Sequence, residues 1–155
     1  MARCQHATGA VEVKRSLRLS RSDEHGRFPD ALPLIENLLT EMSEAGQWPM
    51  TLTMRANLIL EELVLNTLTH GDTSGLTEVS IDLESESHSL AIRLADDGSP
   101  FNPLADAPEP DLALPLNERP IGGLGVYLVR TMGEELEYRR DGNRNHLKLV
   151  VRPES

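Results

Sequence analysis

The stretch EELVLNTLTHG, residues 61–71, has the apolar density of a buried helix, yet Glu62, Asn66 and His70 recur in it at steps of four. With Glu62 as origin and about 100° per residue, Asn66 falls near 40°, Thr69 near −20° and Arg55 near 20°. Leu58, Ile59 and Leu65 lie roughly 40–60° to either side. A solvated helix face is ordinarily broad and rich in lysine and glutamate. This stripe is narrow, walled by aliphatics and free of lysine, which suits the floor of a pocket better. His70, about 80° round at the helix end, reads as a C-terminal cation complementing the helix dipole, ahead of a metal ligand.

Glutamate and asparagine one turn apart suit a particular pair of tasks. An asparagine oxygen can serve a hard divalent cation. An ionised glutamate can take a proton from an attacking hydroxyl or water. Magnesium-dependent phosphoryl transfer needs both roles close together.

Composition narrows the field. The chain has 155 residues, enough for one domain with a sizeable core. It is 39% hydrophobic and 26% charged, but only 3% aromatic, so the core must be aliphatic. The net charge of −10 disfavours a surface that tracks nucleic-acid phosphates. Cys4 is the lone cysteine, so neither an internal disulfide nor a cysteine-rich metal site is expected. The start, MARCQHATGAVEVKRS, lacks an apolar run, and no stretch is long and apolar enough to span a bilayer. A cytoplasmic protein is the expectation.

Residues 1–10 read as a frayed start. A strand is expected over 11–19, a helix over 29–46 ended by Gly46, and a second helix over 51–70 ended by Gly71. LTEVSIDLES (76–85) and SLAIRLAD (89–96) alternate with period two and form a hairpin. Six of the ten prolines fall within 98–120, with no periodicity, which marks a lid. IGGLGVYLVRTMG (121–133) opens a helix on glycines, and residues 134–140 and 146–152 close the chain as a hairpin around DGN. The order β-α-α-β-β-loop-α-β-β has too few helices to cover both faces of a sheet. The fold class is α/β (α+β): a two-layer sandwich, its sheet mixed but mostly antiparallel, with helices on one face.

Two more constellations carry chemistry. Leu90, Ile92 and Leu94 share one strand face, and the alternation aims Asp96 the same way and Asp97 the other. A carboxylate on an apolar face needs donors, and the exocyclic amine of a base is one. Gly98 lets a ligand approach the backbone. A plain Asp-Gly turn fits the same residues. GGLG (122–125) at a helix start can cradle phosphate on backbone N–H groups, or serve as a flexible joint. It is neither a Walker A loop nor a good dinucleotide fingerprint.

In order, EELVLN with HG, then DDG, then GGLG after a variable loop, these segments resemble the N, G1 and G2 boxes of the GHKL ATPases. Within that superfamily the chain looks most like the small bacterial anti-sigma-factor serine/threonine kinases, over roughly residues 30–150. The resemblance implies a Bergerat-type fold in a single histidine-kinase-like ATPase domain, with ATP between helices and sheet. Carried over by motif, Glu62 is the catalytic base and Asn66 the Mg2+ ligand. Asp96 takes the adenine amine with Gly98 beside it. Gly122, Gly123, Leu124, Gly125 and Val126 bind ATP, with Gly123 and Gly125 cradling the phosphates under a lid of residues 99–120. Arg119 either reaches the γ-phosphate or is a solvated lid residue.

There are departures. Pro100 stands where the family has a second glycine, which stiffens the start of the lid. No Gly-Thr pair precedes the last strand, and Asn145 is nearest the expected place. The implied cofactors are ATP and Mg2+. The implied partners are a small anti-anti-sigma (STAS-type) protein, a sigma factor and a second copy in a homodimer, with no nucleic acid and no membrane. The competing expectation is a nucleotide-gated protein-binding module without phosphotransfer.

Overall fold

The computed structural model describes residues 11–22, 25–70, 72–106, 111–118 and 124–154. The expected frayed start at 1–10, the helix stop at Gly71, Arg119, Gly122 and Gly123 lie outside these residues.

Five strands make one sheet in the order β1-β2-β3-β5-β4. They are β1 (Val13–Ser20), β2 (Glu78–Glu86), β3 (Ser89–Asp96), β4 (Gly133–Asp141) and β5 (Arg144–Val151). All four pairings are antiparallel, so the sheet is purely antiparallel where a mixed one was expected. The β1–β2 connection explains this. It runs through two helices, α1 (Ala31–Gly46) and α2 (Met50–Thr69), which pack as a hairpin, and the chain re-enters beside β1 running the opposite way.

The helices lie on one face. The core is aliphatic, as the composition demands: Leu19, Ile35, Leu39, Met42, Leu52, Ile59, Leu60, Leu63, Ile81, Leu90 and Ile92 are among its buried members. α2 contributes Leu52, Ala56, Ile59, Leu60, Leu63 and Val64, a helical spacing that presents one face to the sheet. Burying each large aliphatic side chain contributes about 1.5–3 kcal/mol.

The ends of these elements follow local chemistry. The Asp30 side chain accepts from the Leu32 N–H at 3.4 Å and caps α1. Gly46 is the last helical residue rather than the stop. Gln47 takes the left-handed conformation at φ 52° and terminates α1. A β-carbon at position 46 would lie 2.5 Å from the indole Nε1 of Trp48, so packing accounts for the glycine. The β2–β3 turn uses Ser87 and His88, both at positive φ, the handedness that suits two-residue hairpins.

The described residues of the proline-rich stretch include regular structure that its composition does not imply. Residues Pro103–Asp106 form a short helix, α3, and Leu116–Glu118 a 3-10 turn. Pro103 is buried and Leu104 packs against the core. The final helix, α4, spans Leu124–Met132 and runs directly into β4. Among the described residues no helix is long and apolar enough to cross a membrane.

Candidate functional site

Asp96 ends β3, on the same face as Leu90, Ile92 and Leu94, and is only 8% exposed. Its Oδ1 accepts from the Gly98 N–H at 2.9 Å and from Asn145 Nδ2 at 3.0 Å. Its Oδ2 has no hydrogen-bond partner among the described residues. The expected Asp-Gly turn is therefore present, closed by Oδ1. Gly98 serves this geometry, because a β-carbon there would lie 3.0 Å from Asp96 Oδ1 and 3.2 Å from Leu76 Cδ1.

Asp96 lines a small cleft, open to solvent at its mouth, with room for about 30 Å³ of water-sized space. Leu76, Leu94 and Leu147 give it apolar walls, and Thr67, His70 and Tyr138 give it polar ones. A cleft with apolar walls and one buried carboxylate acceptor suits a flat heterocycle carrying an amine.

Asp97 points the other way and has a different task. Its Oδ1 accepts from the backbone N–H groups of Thr77 at 2.8 Å and Glu78 at 2.9 Å, and its Oδ2 accepts from the Thr77 hydroxyl. Burial alone pushes this carboxyl up. The hydrogen bonds from Thr77, Glu78 and its own N–H outweigh that and hold it below the usual aspartate range. Asp97 thereby clamps the start of β2.

Glu62 and Asn66 are half-buried on α2, next to α4. Gly125, in the first turn of α4, lies against the Glu62 carboxylate so closely that a β-carbon at 125 would overlap Oε2. The Asn66 carboxamide has no hydrogen-bond partner among the described residues. The stripe is not walled on both sides as expected. Ile59 is in the core, but Leu65 is 38% exposed, so the stripe runs along the boundary between core and solvent. Nor does the Asp96 cavity reach Glu62 or Asn66. Its α2 contribution is Thr67 and His70.

His70 sits at the end of α2. It caps α2, with its N–H donating to the Asn66 carbonyl at 2.9 Å, and its ring stacks on Phe101 at the start of the lid, 6.3 Å between centroids. Val126 is buried in α4, and Gly125 is half-buried. Leu124 begins the helix.

Two contributors escaped the sequence reading. Arg21 donates to the carbonyls of Thr73 at 2.8 Å and Ser74 at 3.3 Å, fixing the loop that walls the cavity, and its guanidinium lies over the Phe28 ring. Nothing in the local pattern around Arg21 signals this. Asn145 was noted only by position. A signal existed: it falls on the same strand face as Leu147 and Leu149, a polar residue on an apolar face, as Asp96 is.

Residues 28–151 match the family described as the histidine kinase-like ATPase domain, and the chain belongs to that family. It is also similar to the serine/threonine-protein kinase BtrW of Bordetella bronchiseptica, 29% identical over 121 residues, covering 78% of this chain and 82% of that protein.

The residues present fit a magnesium ion at Asn66. What supports an ion there is a carboxamide with no hydrogen-bond partner among the described residues, one helical turn from Glu62, whose carboxylate lies against the first turn of α4. Among the described residues there is no cluster of three or more acidic, histidine or cysteine side chains. An ion there would need ligand phosphates and water to complete its shell.

Proposed function

We propose that this protein is an ATP-dependent protein serine/threonine kinase of the anti-sigma-factor type. Its substrate is a serine or threonine on a small anti-anti-sigma (STAS-type) partner. A sigma factor as second partner, a homodimer and a cytoplasmic setting belong to the same reading. The observation that carries it is the contact of the Glu62 carboxylate with the first turn of α4, next to Asn66 on the same helix. A helix start is where phosphates are held, so a base at that point stands beside the phosphoryl group to be transferred.

In this reading Asp96 Oδ2 accepts from the adenine amine, and the apolar walls exclude water from the base. Glu62 takes the proton of the attacking hydroxyl as the new oxygen–phosphorus bond forms and the β,γ-bridge bond breaks, releasing ADP. Asn66 would hold Mg2+, which would supply positive charge to the phosphates.

The cavity lining favours a second reading. It includes Asp96 but stops short of Glu62 and Asn66, as a nucleotide-gated binding module without phosphotransfer would allow. Radiolabelled γ-phosphate transfer to a partner serine separates the two. Glu62→Gln should still bind MgATP, with transfer reduced about 10²–10⁴-fold, the usual weight of a general base. Full transfer by Glu62→Gln removes Glu62 from the mechanism and leaves Glu61 to test. No transfer by the wild type supports the binding module.

A further inference from the structure

The carboxamide of Asn145 is only 5% exposed and makes five hydrogen bonds. Its Nδ2 donates to Asp96 Oδ1 at 3.0 Å and to the Ser99 carbonyl at 2.9 Å. Its Oδ1 accepts from the Tyr138 hydroxyl at 2.6 Å, from Arg140 Nη1 at 3.1 Å and from the Phe101 N–H at 3.4 Å. The neighbours dictate the orientation of the amide. A carboxylate and a carbonyl require donors on one side, and a guanidinium and a backbone N–H require an acceptor on the other. No carboxylate could replace it, since none could donate to Asp96.

Asn145 therefore touches two things at once: the carboxylate that faces the cavity and the first residues of the lid. Asp96 and Asn145 are direct cross-strand partners on β3 and β5. Arg140 reinforces the second connection by donating to the Gly98 carbonyl at 2.7 Å. An amide oxygen has two lone pairs, and the Tyr138 and Arg140 bonds are the shorter ones. The Phe101 bond is the weakest link, so it is the one that should yield first when Asn145 shifts.

We propose that Asn145 is a positioning residue that couples the Asp96 carboxylate to the root of the lid, so that a ligand amine engaging Asp96 tightens residues 98–101, and a loosened lid root frees Asp96 to turn away. The ligand side of this proposal rests on the nucleotide reading above. The coupling itself concerns residues of this chain and can be read without any ligand.

The test is hydrogen exchange followed by NMR at the Gly98 and Phe101 amides in nucleotide-free protein. Asn145→Ala should speed exchange at Phe101 about tenfold, as expected for losing a hydrogen-bonded tether. Asp96→Ala should also speed exchange at Phe101, although Asp96 makes no hydrogen bond to it. Adding Asp96→Ala to Asn145→Ala should give no further acceleration there, because the connection is already cut. Asn145→Thr, a strand-compatible change, keeps a hydroxyl but lacks the two-sided amide. It should reproduce the fast exchange if the alanine variant does not fold. Unchanged Phe101 exchange in the Asn145 variants, or independent additive effects of the two substitutions, overturns the coupling. MgATP calorimetry is the second arm. Asn145→Thr should bind several-fold more weakly than wild type, and equal binding also overturns the proposal. A wild type that binds no MgATP refutes the nucleotide reading, while the exchange arm still decides the coupling.

Discussion

The carboxylate of Glu62 occupies the space that a side chain at Gly125 would need. A β-carbon at 125 would overlap Glu62 Oε2 and crowd its Cδ and Cγ as well. Two helices that are 63 positions apart at this contact, counted as 125 − 62, thus meet through an acid and a bare backbone. The glycine thus answers to where the acid's side chain lies rather than to its own dihedral angles.

Gly125→Ala should therefore force the half-buried Glu62 side chain to turn away, at a cost to the fold of about 1 kcal/mol, the low end of overpacking. It should also reduce MgATP binding by displacing Glu62 or the start of α4. Shortening the acid, as in Gly125→Ala with Glu62→Ala, should recover most of the unfolding midpoint without recovering phosphoryl transfer. Chemical denaturation of the two variants beside Glu62→Ala checks this. An unaltered midpoint in Gly125→Ala would show that Glu62 has another rotamer at no cost.

Asn66→Ala should weaken ATP binding more in magnesium than in EDTA, because the carboxamide acts through the ion and the ion acts on the phosphates. Removing the metal from wild type should bring its affinity close to that of the variant. Calorimetric titration with ATP under both conditions measures it. Equal losses with and without metal would mean that Asn66 supports the site by packing alone.

The neighbouring aspartates should separate cleanly. Asp96→Ala should abolish adenine-nucleotide binding. Asp97→Ala should leave binding nearly intact but lower stability by roughly 1–2 kcal/mol, the low end for charge-assisted bonds near a surface. The pH dependence follows from the lowered carboxyl of Asp97. A depressed native pKa contributes stability that is fully present above the ordinary aspartate value and is lost as pH falls through the native one. Wild type should lose more stability than Asp97→Ala on acidification below the ordinary aspartate range, so the two unfolding curves converge in acid. Parallel curves would remove Asp97 from the acid response.

Limited proteolysis should divide the lid. Residues 99–106 should resist cleavage, because Ser99 Oγ donates to the Asp72 carbonyl at 3.0 Å, Pro103 is buried and Leu104 packs on the core. Cleavage should fall within 111–118, where Asp111, Leu112, Asn117 and Glu118 are exposed. MgATP should slow it, since lids of this kind close on their ligand. Mass spectrometry of the fragments locates the cuts. Early cutting at 99–106 would contradict the anchored root.

The sequence alone determined what depends on local period. Leu90, Ile92, Leu94 and Asp96 share a face because successive strand residues alternate sides, and no distant contact is needed to know it. Both hairpins and the two long helices follow from the same kind of regularity, with ends moved by one or two residues. The Glu62–Asn66 pair is equally local, since it needs only a helical turn.

Tertiary structure decided the partners. Asn145 meets Asp96 across 49 positions, Arg21 reaches Thr73 across 52, and Gly125 meets Glu62 where α4 crosses α2. His70 became part of the cavity wall because the lid brings Phe101 over it. Asp97 acquired its clamp because β2 begins beside it. Side-chain periodicity reports which way a residue points, and that is a property of a few neighbouring dihedral angles. A hydrogen bond also requires two groups to stand about 3 Å apart. Strand register and helix packing set that distance, and both arise from burying the aliphatic core of the whole chain at once.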